Sequence, residues 1–201
     1  LLYVQRYGID ALRWYLAREI RFGEDGPFSD EGFIGRYNSE LANEFGNLVS
    51  RVVSMIAKYR GGVVPHDPGG DGEFANLVAE RAAAVRAVFD VYDVTNAAEE
   101  AWKLVRRLNQ LVEERAPWVL AKDPARAQEL DQVLVTLAEG VRAAAILLWP
   151  FMPGSATKAL TAIGTASELP LLDEITWGAT CGATVTPTDG PLFPRVEEPT
   201  P

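Results

Sequence analysis

The sequence is short of the residues from which most metal and nucleophile sites are built. Its 201 residues hold one cysteine, Cys181, and one histidine, His66. A lone cysteine excludes an internal disulfide framework and a cysteine zinc cluster, and a lone histidine excludes any site that needs two. Long apolar runs are missing too. The longest, Ala143 to Met152, is interrupted by Pro150 and falls well short of the roughly 20 residues that span a bilayer. No amino-terminal apolar segment with a small-residue cleavage site is visible, so no membrane partner and a cytoplasmic location are expected. Positive charge is in deficit: 19 Lys plus Arg against 28 Asp plus Glu give a net charge of −9. As a whole-chain average, this argues against a protein that coats nucleic acid. The chain opens on Leu1 in mid-pattern, with Leu2, Tyr3 and Val4 following at once, and is expected to be a piece of a longer protein.

Apolar residues are plentiful, at 48%, and their spacing is mostly helical. A short helix is expected over residues 10–20 with Asp10 as its N-cap, then a loop over 21–30. A long helix is expected over 30–60, capped by Ser29 and ended by Gly61-Gly62 and Pro65. Its stripe of Phe33, Tyr37, Leu41, Phe45, Leu48, Val52, Ile56 and Tyr59 is the most regular in the chain. Asn43, Asn47, Arg51, Ser54 and Lys58 form a polar edge beside that stripe. After a surface turn at 61–72, helices are expected at 73–92, 95–115, 126–149 and 154–163, with Tyr92 in the apolar set of the first. From about 165 the Gly, Thr and Pro content rises, Thr176, Val185 and Thr186 favour extended structure, and the tail from Glu197 reads as disordered. The expected fold class is all-α, an antiparallel helical bundle with an irregular C-terminal extension.

Enzymatic motifs are lacking: no GxSxG, HExxH, CxxC or phosphate loop occurs, so no catalytic residue and no metal ligand is expected. Glu99-Glu100 and Glu113-Glu114 are neighbours that do not share a helix face, and they read as solvated surface. His66 reads as a surface residue in a Pro/Gly turn, and Cys181 as a spectator thiol. Two features remain. Asn47 and Arg51, four residues apart on one face, offer the donors and acceptors that suit a base edge or a phosphate; a helix flank that simply meets water fits the same spacing. Pro117-Trp118 at a helix break suits either a core plug or a stacking platform for an unpaired base. Positive charge is gathered around both. Residues 34–60 carry Arg36, Arg51, Lys58 and Arg60 against Glu40 and Glu44. Residues 102–122 carry Lys103, Arg106, Arg107, Arg115 and Lys122 against Glu113 and Glu114. That distribution favours contact with RNA.

The stretch YGIDALRWYLAREIRFGEDGPFSDEGF resembles the segment that follows the lysine-rich ATP loop in class I aminoacyl-tRNA synthetases. RYNSELANEFGNLVSRVVSMIAKY, then ERAPWVLAK, LLWPFMP and PLFPRVE, are similar to the anticodon-binding domain of the methionyl-tRNA synthetase family. The resemblance covers about residues 3–197. It implies an end of the stem-contact region over 1–30, an anticodon-binding bundle over 31–165, and an extension over 166–201 that folds back. It implies that Asn47 and Arg51 read anticodon bases, that Trp118 stacks on the first base of a CAU anticodon, and that Pro117 positions it. Arg115 and Lys122 are added as possible RNA backbone contacts. The implied partners are methionine tRNA and the catalytic domain of the same parent chain. That parent would be a ligase joining methionine to tRNA with ATP and magnesium. The HIGH-type motif and KMSKS-type loop are missing here and are expected upstream of Leu1, so this piece is expected to be inactive by itself and to hold no cofactor. Two other readings stay open: the corresponding domain of a leucyl, isoleucyl, valyl or cysteinyl synthetase, and a helical scaffold that binds protein through the face holding Asn47.

Overall fold

The computed structural model describes residues 2–21, 23–66, 71–166 and 170–197. The chain is all-α, and the described residues contain no strand, only an isolated antiparallel bridge between Val63 and Thr184. In order, the helices are α1 (Leu2–Tyr7), α2 (Ile9–Glu19), α3 (Asp30–Arg36), a π-helical segment (Tyr37–Gly46), α4 (Asn47–Arg60), α5 (Gly72–Phe89), α6 (Val94–Arg115), α7 (Pro117–Leu120), α8 (Ala127–Leu148) and α9 (Pro153–Ala162). Single 3₁₀ turns occupy Pro124–Arg126 and Leu172–Glu174. Helix α5 packs along α6, α6 along α8, and α8 on α9, with α4 laid across α8.

Helix α8 is the axis of the bundle. From Val133 to Leu148 every residue is buried, so it is apolar around nearly its whole circumference, as a central helix must be. Gly140 sets how near α6 can come: a Cβ there would stand 2.2 Å from Cδ2 of Leu108. Two charged residues are sealed within this helix. Glu139 accepts from the backbone and hydroxyl of Thr180 at 2.5 and 2.6 Å. Arg142 donates to the carbonyls of Glu174 and Thr176 at 3.0 and 2.6 Å. Together they hold residues 174–180 against the bundle. Farther on, the Asn38 side chain donates to the Val196 carbonyl and accepts from its amide, at 2.8 and 3.0 Å, and Phe193 packs edge-on against Tyr37.

The long helix begins at Ser29, whose hydroxyl accepts from Gly32 N, and it ends at Gly61 and Gly62, both at positive φ. Its middle departs from the expected uniform α-helix, because Tyr37–Gly46 is π-helical. The sequence carries a trace of this. Phe33, Tyr37, Leu41 and Phe45 are spaced by four, and each such step overshoots an α-turn by about 40°. An i→i+5 pattern holds more residues per turn, so the stripe stays on the core through this stretch. The segment also aims two carboxylates inward. Glu40, 9% exposed, accepts from Trp14 Nε1 at 2.7 Å, Arg36 Nη1 at 2.7 Å and Arg18 Nη2 at 3.2 Å. Glu44 accepts from Trp102 Nε1 at 2.7 Å. The two indoles lie 4.5 Å apart, so α2, the π segment and α6 meet at one junction, in which both indole N–H groups reach a carboxylate. Arg18 extends it to Glu99 on α6 at 2.7 Å, and Glu99 also takes Arg106 at 3.0 Å.

Several expectations are corrected. Asp10 does not cap α2, which follows Gly8 at φ 85. It is buried, and its carboxylate accepts from Ser155 N at 2.5 Å. The reason lies in α9: Met152, at its N-cap position, has no acceptor, so the orphan amides of that helix are met across the core. Helix α1 occupies residues that the apolar run at 2–4 left unassigned. Helix α5 stops at Phe89 rather than 92. Asp93 caps α6 by accepting from Asn96 N, which forces reversal within four residues and leaves Tyr92 exposed at φ 61. The extended structure expected near Val185 and Thr186 is realised as the isolated Val63–Thr184 bridge and neighbouring backbone bonds, among them Val185 N to Gly62 O and Thr186 N to Ala162 O, and Thr176 bonds only locally through its N–H, to Glu174 O. Positions 67–70 of the expected turn and 198–201 of the expected disordered tail lie outside the described residues.

Removing the Glu40 carboxylate with Glu40→Ala leaves two arginines and an indole N–H without their shared acceptor. Loss of one partner from a buried pair costs about 3–5 kcal/mol, which urea denaturation should report; a change below 1 kcal/mol would contradict the assigned role. Glu99 gives a pH signature. Burial works to raise its pKa, but hydrogen bonds from Arg106 and Arg18 outweigh it and hold the carboxyl below the usual 4.5. A depressed folded value adds stability above the unfolded pKa, and that stability is lost as pH falls through the folded value. Glu99→Gln should therefore reduce the acid-side fall in stability between neutral pH and about pH 3; an unchanged slope would contradict this.

Candidate nucleic-acid interface

The site begins where α6 ends. Ala116 is left-handed at φ 41, and Pro117 follows as the first residue of α7. Proline suits that position because its ring presets φ and its missing N–H would have no helical partner. Helix α7 is one turn that packs on α8 with Pro117 and Leu120 buried. Spacing by three puts both on the inner side, so Trp118 and Val119 face outward, 38% and 47% exposed. Trp118 is therefore not a core plug.

Arg51 on α4 reaches the same place. Its guanidinium carbon lies 5.8 Å from the centre of the Trp118 ring, a cation–π distance. Its Nη2 donates to Glu113 Oε1 at 2.7 Å. Trp118 and Arg51 stand at one end of an open groove of about 310 Å³, lined also by Ser50, Ser54, Met55, Lys58 and Tyr59. Asn47 is exposed one turn before Arg51, at the first residue of α4. Its side chain makes no hydrogen bond among the described residues, and it lies beyond the groove lining. Lys122 is exposed on the turn after α7. Arg115 faces elsewhere, into a separate cleft of about 130 Å³ with Asp71, Glu129 and Gln132.

The basic surplus of the two segments does not make an open positive patch. Arg36 is paired with Glu19 and Glu40, Arg51 with Glu113, Arg60 with Asp131, Lys103 with Glu100, Arg106 with Glu99 and Arg107 with Glu114. Glu40, Glu113 and Glu114 are counted within the two segments, but Glu19, Glu99, Glu100 and Asp131 lie outside them, so the segment charges miss these four partners. Among the described residues of these segments, Lys58, Arg115 and Lys122 have no carboxylate within 4.0 Å. Glu113, which reads as solvated surface, turns out to hold Arg51. No local signal points to it, because the pair is 62 residues apart. Ser54 and Lys58 lie on the polar edge visible in the sequence, and Tyr59 is counted in its apolar stripe. Their shared groove with Trp118 depends on tertiary packing.

Asn47, on whose face the protein-scaffold reading depends, does not line the groove formed by Met55, Tyr59 and Trp118. The larger apolar cleft, about 620 Å³, is lined by Leu16, Ile20, Phe89, Val94 and Phe151. It sits at the start of α6, about 30 Å along that 22-residue helix from the Trp118 end. Among the described residues no group of three or more His, Cys, Asp or Glu could hold a metal ion, and no helix is long and apolar enough to cross a membrane.

A family model described as "tRNA synthetases class I (M)" matches residues 2–53. Methionine–tRNA ligase of Caldanaerobacter subterraneus is 41% identical over 197 residues, which are 96% of this chain and 31% of that protein. The Bacillus subtilis enzyme of the same name is 40% identical over 199 residues, 96% of this chain and 30% of its own length. Methionyl-tRNA synthetase of Mycobacterium tuberculosis in its free state superposes with a TM-score of 0.89 at 34% identity, covering 98% of this chain and 41% of that one. A second structure of that enzyme, in complex with methionyl-adenylate, gives 0.87 at 35%, covering 96% and 39%. The chain thus spans about 30% of the length of the curated relatives it matches. Over nearly its whole length, the chain is a homologue of methionyl-tRNA synthetase.

Proposed function

We propose that this chain is the anticodon-binding part of a methionine–tRNA ligase and that it recognises the CAU anticodon of methionine tRNA. The observation that carries this reading is the outward-facing Trp118 ring beside the Arg51 guanidinium in an open groove, within a chain homologous to methionyl-tRNA synthetases. An unpaired base stacked on an aromatic ring is held by about 1–3 kcal/mol. Single-stranded loops suit this mode because splayed bases expose their edges. Trp118 takes the first anticodon base on its face, and the buried Pro117 fixes the turn that presents it. Arg51 and Asn47, aligned on α4, supply donors and an acceptor to the base edges. Arg51 is already oriented by Glu113, which lowers the ordering cost of binding.

In this reading the bundle over residues 31–165 carries recognition. Residues 1–30 continue a stem-contact region, and 166–201 are the extension, whose described part, 170–197, folds back on the bundle. Joining methionine to tRNA belongs to the parent, in the cytoplasm, and its ATP and magnesium act in the catalytic domain of the same polypeptide. This chain by itself is inactive and holds no cofactor. Base recognition here orients the tRNA so that its acceptor end reaches that catalytic domain. Lys122 is placed for a backbone contact. Arg115 faces its own cleft, so a role on RNA would require it to turn.

In the full-length enzyme, Trp118→Ala should weaken binding of methionine tRNA by about 1–3 kcal/mol and leave methionine activation, read by pyrophosphate exchange, almost unchanged. An equal fall in activation would make Trp118 a structural residue. Equal affinity of the unaltered enzyme for methionine tRNA and an anticodon-changed control would contradict base reading altogether.

A further inference from the structure

The groove continues past the residues assigned to base reading, and that continuation has its own chemistry. From Arg51 it runs along α4 toward the C-terminal end, past Ser54 and Met55 to Lys58 and Tyr59. Lys58 follows Arg51 by seven residues, two turns on, so both lie on one line of the helix about 10 Å apart. Lys58 is exposed and belongs to the small set of cations in its segment without an ion-pair partner among the described residues. Its neighbours Arg51 and Arg60 are both committed, to Glu113 and Asp131. The Lys58 ammonium instead lies 5.4 Å from the Tyr59 ring centre. The groove therefore joins an aromatic stacking surface at one end to an uncommitted cation at the other. Between them, the Ser50 and Ser54 hydroxyls line it and neither hydrogen-bonds to the described residues. Its volume of about 310 Å³ is at the low end of the range for small-ligand clefts, roughly 300–1,000 Å³.

We infer that this part of the groove is a second nucleotide subsite, in which Lys58 binds the phosphodiester adjoining the nucleotide stacked on Trp118. It rests on the anticodon-binding reading and adds to it a residue that positions the strand without reading sequence. A phosphate contact fixes register and carries no base information. An ammonium on a flexible stem serves this as a point charge, where the planar guanidinium of Arg51 suits an edge. The subsite explains why one cation at the rim of the groove is left free of carboxylates when its neighbours are paired: an intramolecular partner would compete with the phosphate.

The test uses full-length enzyme and measures its affinity for methionine tRNA and an anticodon-changed tRNA over a series of salt concentrations. Lys58→Gln should weaken both by the same factor, and the slope of log affinity against log salt should fall by about 0.7, the loss of one phosphate contact on a single strand. Lys158→Gln, an exposed lysine of α9 outside the groove, serves as the control and should leave the slope unchanged. An unaltered slope in Lys58→Gln, with binding of methionine tRNA still weakened in Trp118→Ala, overturns the subsite and spares the anticodon-binding reading. A change in discrimination between the two tRNAs in Lys58→Gln also overturns it, because Lys58 would then be reading a base. Binding of methionine tRNA that is not weakened in Trp118→Ala rejects the underlying reading and the subsite with it.

Discussion

A single buried carboxylate, Glu40, holds the junction on which the rest of the molecule is arranged. Three donors converge on it: the Trp14 indole from α2, Arg18 one turn later on the same helix, and Arg36 from the end of α3. A charge this buried is tolerable only when its lone pairs are filled and cations stand beside it, and both conditions are met. Glu40 reaches that place because the backbone is π-helical there. Each residue of a π segment turns the chain less than in an α-helix, and this keeps both the apolar stripe and the two glutamates directed at α2 and α6. The register of α4 follows from the same segment. Asn47 is its first residue, and Arg51 points at Trp118 only because the ten preceding residues are wound more loosely.

The candidate interface is built by opposite means. Nothing buried and charged holds it; a short helix seated by two apolar contacts, Pro117 and Leu120, leaves the intervening indole to solvent. An exposed tryptophan forfeits the hydrophobic gain of burial, and here it stands beside a guanidinium already held by a carboxylate. Most arginines near it are likewise paired. The overall charge of −9 and the local surplus of cations are reconciled by those pairs: among the described cations of the two segments, only Lys58, Arg115 and Lys122 have no carboxylate within 4.0 Å, and of these Lys58 lines the groove. Such a surface binds polyanions weakly in general, so recognition depends on stacking and on edge contacts at one place.

The sequence carries the bundle well and its seams poorly. Helical spacing located the long helix at 30–60, which spans α3, the π segment and α4, and also α6, α8 and α9, to within a few residues, and the cap at Ser29 and the stop at Gly61-Gly62 were visible because capping is local chemistry. Asp10 was misread because a side chain that could cap its own helix in fact caps α9, 145 residues away. The π segment left a mark in the spacing of Phe33, Tyr37, Leu41 and Phe45, but period alone does not name its hydrogen-bond pattern. At the candidate site, the residue types and the one-sided placement of Asn47, Arg51, Ser54 and Lys58 were legible. Their meeting with Trp118, the hold of Glu113 on Arg51, and the turning away of Arg115 were not, since each joins elements distant in sequence.

The central claim is that the Trp118 groove receives the anticodon. Ultraviolet crosslinking of methionine tRNA carrying a photoreactive base in its anticodon to the full-length enzyme, with the attached peptide identified by mass spectrometry, tests it most directly. Attachment is expected within residues 47–60 or 117–122. Attachment confined to other faces of the bundle, such as the apolar cleft at Leu16 and Phe89, would contradict it.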